Sequence, residues 1–448
     1  MPKLLSAIVV MCSLLAFYSP LLLAQANNPG SIGYTLEDFF TAALDYSPSL
    51  RIAEENLKIS GAQKDVARGQ LLPQVSANAN LSDNRRTAND VLNKFDGERY
   101  SLQLSQVLFN WRSFMARKRL DDVEDQVEAE YFYELSSVLT DVADKYFTVL
   151  QAQDALVSVQ SELEAVANQL DQINSLFELQ LAQITDLRLA QAELSAIQAQ
   201  QIRLQSELSL AQEALRSVSG LDVGALFTLD NEIAVPGVEN SLQYWVQLAR
   251  ENNQMVQARK SALRAAEKGI SESKGLYMPT VSLIAQKRET NLGFDNALLS
   301  DVTDSTVLGL DITIPIYAGG SNRARISEAV SRHSIAENEL RQIELATGEI
   351  VRSAYLQAQS SATLTQAAQA LVEATELSAQ AMREGFELGT VTNVDVLIAL
   401  RDQFQAQREL QRTRYEHIRY LLLLKREAGM LSAEDLLEVG SWLVPSQR

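Results

Sequence analysis

Two acids stand where long helical runs break. Asp186 lies in "FELQLAQITDLR", Phe177 to Arg188, and Asp395 lies in "FELGTVTNVDVL", Phe386 to Leu397, about 209 residues further on. One use for such an acid is local. Thr392 to Asp395 reads T-x-x-D, a capping-box pattern, and an acid in a first turn meets the positive end of the helix dipole. The other use is electrostatic, since carboxylates crowded together attract cations and resist full ionisation. Both stay open, with the helix-start role weighing more for Asp186 because Thr185 and Asp186 are ordinary helix starters. His333 and His417 stand alone on predicted helices, with no second His or acid pair at ligand spacing. No Gly-rich phosphate loop occurs in either half, so energy must come from a partner. No catalytic residue, metal site or cofactor is expected.

The start, "MPKLLSAIVVMCSLLAFYSPLLLAQA", has one Lys, an apolar stretch and the A-x-A pattern Ala24-Gln25-Ala26, which reads as a secretory signal over residues 1–26. Cys12, the single cysteine, would leave with it, unless "VVMC" is a lipid-acylation site in which Met11 takes the place of a small residue. The mature chain then has neither disulfide nor thiolate chemistry. A formal net charge of −18 argues against nucleic acid and suits an aqueous duct that favours cations. Nothing after Ala26 is long and apolar enough for a transmembrane helix.

Elements that could hold the two breaks are visible in proline placement. None of the nine prolines falls between Pro73 and Pro236 or between Pro315 and Pro445, which leaves two tracts for long helices. Leu156, Val159, Leu163, Val166, Leu170, Ile173 and Phe177 alternate steps of three and four, a coiled-coil seam that resumes after the break at Leu187, Ala190, Leu194 and Ile197. The second tract shows smaller seams, Leu364, Ala367, Leu371, Ala374 and then Leu397, Leu400, Phe404. A helix from Asn322 to Phe386 would be about 100 Å long, and such a length spans something. Before each tract the period changes to two. "LPQVSANANLS" and "RYSLQLSQVLF" read as strands joined by the polar loop "DNRRTANDVLNKFDGE", and "MPTVSLIAQ" and "STVLGLDITIPIY" repeat the plan. Phe109, Trp111 and Tyr317 fall at strand ends, where an aromatic girdle or plain packing would place them. The chain therefore reads as a duplication. Its parts are a first repeat over 27–220 opening with a helix from Leu36 to Gln70, a joint at 221–240, a second repeat over 241–430 and a tail at 431–448.

Strands of this kind fit an outer-membrane barrel, which must close a ring, and four cannot close one. The mature chain resembles the TolC family of outer-membrane efflux and secretion channels. The resemblance rests on the paired "LPQVS" and "MPTVS", on "IPIYAGGSNRARI", on the breaks "LAQITDL" and "LGTVTNVDVL", and on the ending "RYEHIRYLLLLKREAGMLSAEDL". It implies a mixed α and β fold: long coiled-coil helices forming a tunnel, four strands per chain in a shared twelve-strand barrel, and a homotrimer in outer-membrane lipid. The joint and the tail would build an equatorial region. "LKREAGMLSAEDL" is similar to the branch serving type I secretion. The implied partners are a periplasmic membrane-fusion adaptor and, through it, an inner-membrane ABC or RND-type transporter. The two breaks become the turns at the periplasmic tip. Asp395, Ile398, Val391 and Phe386 are expected at the constriction, and Gln180, Leu181, Gln183, Asp186, Gly389, Thr390 and Asn393 at the adaptor-docking surface. Ile398 stands where relatives carry a second acid, and Val391 and Phe386 stand where some use an Arg and a Tyr to latch the tip. An apolar ring of Ile398 is therefore expected to share the sealing. A periplasmic coiled-coil adaptor or a surface structural protein would also explain the helices, but not two matched hairpins of amphipathic strands.

Overall fold

The computed structural model describes residues 33–88, 91–230, 233, 236–292 and 302–445; the expected signal segment and Cys12 lie outside the described residues. The first half runs α1 (Leu36–Tyr46), α2 (Pro48–Gly69), β1 (Gln74–Ala88), β2 (Val91–Asn110), α3 (Trp111–Glu178) and α4 (Ile184–Ser219). A two-residue strand, β3 (Thr228–Leu229), follows. The second half repeats the order with α5 (Leu242–Asn252), α6 (Gln254–Lys274), β4 (Thr280–Leu292), β5 (Val302–Thr313), α7 (Ser321–Glu387) and α8 (Asn393–Glu427). Short α9 (Ala433–Ser441) and β6 (Leu443–Val444) end the chain. The long helices match closely, 68 residues in α3 against 67 in α7 and 36 in α4 against 35 in α8. At 1.5 Å per residue α3 and α7 are each about 100 Å long. No described helix is long and apolar enough to cross a membrane.

Four sequence expectations need correction. The opening helix from Leu36 to Gln70 is two helices, because Pro48 offers no N–H to continue α1 and Ser47 instead caps α2, accepting from the Leu50 N–H at 3.4 Å. The second half breaks alike, with Asn253 accepting from the N–H groups of Met255 and Val256 at 3.0 and 3.1 Å. The polar segment from Asp83 to Glu98 is mainly strand, not loop: β1 and β2 stay paired from Gln74↔Ser105 to Ala88↔Val91. At the other end β5 stops at Thr313, two residues before Pro315, leaving Ile314 and Ile316 outside the ladder and exposed.

The fourth correction concerns α7. Its predicted seam of Leu364, Ala367, Leu371 and Ala374 is exposed, with Leu364 and Leu371 half open to solvent. The buried stripe is one of smaller residues, Ala354, Ala358, Ser361, Ala368, Val372 and Ala379. Small side chains let α8 approach closely, and α8 supplies the bulk with Leu397, Leu400, Phe404, Tyr415 and Ile418.

The strands form one antiparallel sheet in the order β1-β2-β4-β5, so β1 and β5 are both open edges. Below the sheet, α2 and α6 flank the sheet-proximal part of α3. Lys64 of α2 pairs with Asp121 and Glu124, and Arg264 of α6 pairs with Asp122 and Asp125. An aromatic core at mid-height joins α1, α3 and α8 through Phe39, Tyr146, Phe147 and Tyr415, and the Tyr146 hydroxyl donates to the Phe227 carbonyl at 2.9 Å. There β3 of the joint pairs with β6 of the tail, Thr228↔Val444 and Leu229↔Leu443.

Candidate functional site

Both helical breaks close by the same backbone device. After α3, the Leu181 N–H reaches back to the Leu176 carbonyl at 2.8 Å and the Gln180 N–H to Phe177 at 2.9 Å. After α7, Thr390 reaches Gly385 at 2.8 Å and Gly389 reaches Phe386 at 3.0 Å. Such a closure needs one residue in the left-handed region. Gly389 takes it at φ 71°, whereas Gln180 takes it at φ 62° against a steric cost of about 1 kcal/mol. The two turns come together around a cavity of about 260 Å³ whose lining includes Leu181, Gln183 and Asp186 from one and Phe386, Thr392 and Asn393 from the other.

The two acids differ in what holds them. Asp395 completes a capping box: its Oδ2 accepts from the Thr392 N–H at 2.9 Å and the Thr392 hydroxyl at 2.6 Å, while its own N–H donates to Thr392 Oγ1 at 3.3 Å. These bonds hold its carboxyl below the ordinary aspartate range, so it stays charged while remaining exposed. Asp186 sits in the first turn of α4, whose Gln183 N-cap makes no side-chain capping bond. Its backbone N–H donates to the Gln183 carbonyl at 3.1 Å.

Other expected site residues divide by burial. Gln180, Leu181, Gln183, Gly389 and Thr390 are exposed on the turns. Asn393 is not: it is 4% exposed, its Oδ1 accepts from Gln169 Nε2 at 3.0 Å, and its Nδ2 has no partner. A docking contact through its side chain is therefore closed off, because the first turn of α8 points Asn393 at α3. Phe386 and Val391 pack into an apolar cluster with Val159, Val166, Ile197, Val396 and Leu400. Ile398 alone of the three apolar candidates stays substantially open, at 42%, one helical turn after Asp395.

Under the tip, α3 faces two neighbours at once. Val159, Val166 and Ile173 are buried, Leu163 and Leu170 are half-buried, and on the flank toward α8 Glu162 and Gln169 are buried too. Glu162 Oε2 meets Arg408 Nη1 at 2.6 Å, and both side chains are largely shielded. Burial pushes the Glu162 carboxyl up, while Arg408 draws it back down. This buried polar contact went unread in the sequence. A signal was present: Val159, Glu162, Val166, Gln169 and Ile173 also alternate threes and fours, a second seam sharing positions with the first.

The two histidines lie on different helices. His417 is buried, with Nε2 3.0 Å from the Pro236 carbonyl and Nδ1 2.9 Å from Ser361 Oγ, and burial lowers its pKa. His333 stands apart on α7. Among the described residues no group of three or more His, Cys, Asp or Glu could hold a metal ion.

A sheet with one apolar face, borne on helices about 100 Å long that end in paired turns, is the architecture of an outer-membrane exit duct. The outer membrane efflux protein family model matches residues 40–221 and 245–429, covering both repeats. The outer membrane protein TolC of Vibrio cholerae is 28% identical over 396 residues, 85% of this chain and 89% of that one. The proteases secretion protein PrtF of Dickeya chrysanthemi is 27% identical over 91% of this chain and 90% of its own. In fold, the chain is similar to the CmeC outer membrane channel of Campylobacter jejuni, with a TM-score of 0.77 at 15% identity over 97% of this chain and 98% of that one. The chain belongs to the outer membrane efflux protein family. It is a Gram-negative outer-membrane duct through which substrates leave the periplasm.

Proposed function

We propose that three copies assemble into one twelve-strand barrel and one helical tunnel, and that the tunnel's tip docks a periplasmic membrane-fusion adaptor. The observation that carries this reading is the pair of open edges. Along the fifteen residues of β1 and the twelve of β5, alternate residues turn unpaired N–H and C=O groups to the open side, which lipid does not tolerate. In an all-antiparallel sheet of four strands, β5 of one copy runs antiparallel to β1 of the next, so copies can close the ring. The exposed Leu364 and Leu371 stripe of α7 supports the same assembly, since it offers a neighbour the seam that α8 does not cover. Replacing both leucines with aspartate should leave the sheet register intact and abolish the trimer. Size-exclusion chromatography with light scattering in detergent checks this, and a variant that remains trimeric would remove α7 from the interface.

At the tip, the exposed residues Gln180, Leu181, Gln183, Gly389 and Thr390, with half-buried Asp186 beside them, form the docking surface, and Asn393 braces it from within. Asp395 and Ile398 face the constriction, with Phe386 and Val391 supporting the turn behind them. An inner-membrane ABC transporter of type I secretion is the favoured partner, supported by the likeness to a protein named for protease secretion across nine-tenths of both chains. An RND-type pump is the second reading, supported by the efflux description of the family. Single cysteines at Gln183 and Thr390 should crosslink to a periplasmic adaptor in intact cells. Labelling of both only by reagents confined to the cell exterior would contradict the topology.

A further inference from the structure

The two faces of the sheet differ in the charges they carry. In the ladder Val75, Leu104, Ala285 and Leu308 share a row, as do Gln106, Leu283 and Leu310 beneath them, so this face carries the apolar belt. Its continuation beyond the belt mixes the acids Asp83, Asp96, Glu98, Glu289 and Asp304 with the bases Arg85, Lys94 and Lys287, Arg85 lying 3.9 Å from Asp83 and Lys287 3.3 Å from Asp304. The opposite face is polar. Asn78, Ser101, Arg288 and Ser305 form one row, and Asn80, Arg99, Thr290 and Thr303 form the next. Among the described side chains of that face the charged ones are Arg99, Arg288 and Asp311. Asp311 lies opposite Ser282, six residues back along β4 from Arg288, or about 20 Å. Arg99 and Arg288 are diagonal cross-strand neighbours, about 7 to 8 Å apart at the backbone. Arg288 donates to Gln286 Oε1 at a long 3.4 Å.

An apolar belt must face hydrocarbon, so in a closed barrel the opposite face lines the lumen. Arg99 follows the last belt position of β2, Tyr100, toward the hairpin end, and Arg288 follows Lys287, the first charge beyond the belt on β4. Both therefore stand at the outer end of the lumen. We infer that Arg99 and Arg288 form an anion-binding ring in the exit mouth, two guanidinium groups from each of three copies, that takes phosphate and carboxylate groups of material in transit. Guanidinium forks match the geometry of those groups, and a ring within low-dielectric walls concentrates anions even though the chain as a whole is strongly acidic. The ring rests on the proposed trimeric barrel, with the acidic Asp395 tip in series at the far end of the duct.

Planar-bilayer recording with inorganic tripolyphosphate added on the hairpin side tests it. Wild-type pores should be blocked, Arg99→Gln with Arg288→Gln should need about tenfold more tripolyphosphate, and Arg99→Lys with Arg288→Lys should keep the block. Equal block of wild type and the glutamine variant, or no block of wild type, would overturn the ring while leaving the trimer in place. Protein that yields no trimer and no conductance would overturn the barrel reading and the ring with it.

Discussion

Arg408→Ala should destabilise the tip half of the stalk by about 3 to 5 kcal/mol, because it leaves the buried Glu162 carboxylate without its counter-charge. The effect should depend on pH. Burial raises the folded-state pKa of Glu162, with Glu193 adding to the rise, whereas Arg408 and the more distant Arg401 oppose it. A carboxyl with a raised folded pKa favours the folded state most fully below its unfolded pKa, and that contribution is lost as pH climbs through the folded value. Removing Arg408 raises the folded value further. The deficit of Arg408→Ala should therefore be largest near neutral pH and shrink toward about pH 5. Hydrogen exchange of α3 and α8 amides at the two pH values measures it. The paired substitution Glu162→Met with Arg408→Leu should recover most of the loss, since a buried ion pair and an apolar pair of similar volume often have comparable stability. If the single variant exchanged like wild type at both pH values, the pair would not join the two helical hairpins.

Much of this architecture could be read from periodicity. The lengths of α3 and α7 follow from the absence of proline, the α3 seam from its threes and fours, and the belt from the alternation after Pro73 and Pro279. Periodicity failed where the partner was out of view. Leu364 and Leu371 read as an internal seam because a heptad does not say which helix covers it, and among the described residues they stay exposed. Glu162 and Gln169 were passed over because a polar residue inside a seam resembles a solvated one until Arg408 and Asn393 are seen opposite. The strand extensions beyond the belt read as loop in the sequence because a ladder needs no apolar alternation to stay hydrogen-bonded. At the tip, the T-x-x-D box was legible in full, yet the inward turn of Asn393 was not, since the pattern fixes the cap and not the face that follows it.

In the proposed trimer that face would decide what seals the duct. Asp395 and Ile398 are three residues apart on α8 and both open to solvent, whereas Val396, Leu397 and Leu400 between and beyond them are buried against the rest of the tip. In a threefold assembly the exposed pair would form stacked rings, an acid ring kept ionised by Thr392 and an apolar ring one turn deeper. Ile398→Asp replaces the apolar ring with a second set of carboxylates. An apolar side chain contributes about 1.5 to 3 kcal/mol when buried and an exposed ion pair under about 1, so the seal should rest mainly on Ile398. Resting conductance of Ile398→Asp trimers should rise about tenfold or more, with greater sensitivity of cells to large antibiotics. Asp186→Asn should change either quantity little, because α4 begins without a side-chain cap and keeps its backbone bond to Gln183. Both variants must first match wild type in trimer yield. Should Asp186→Asn open the pore while Ile398→Asp stays shut, the seal would be a polar latch through the first turn of α4, with Arg188, whose guanidinium donates to Gln191 at 2.8 Å, as its other half.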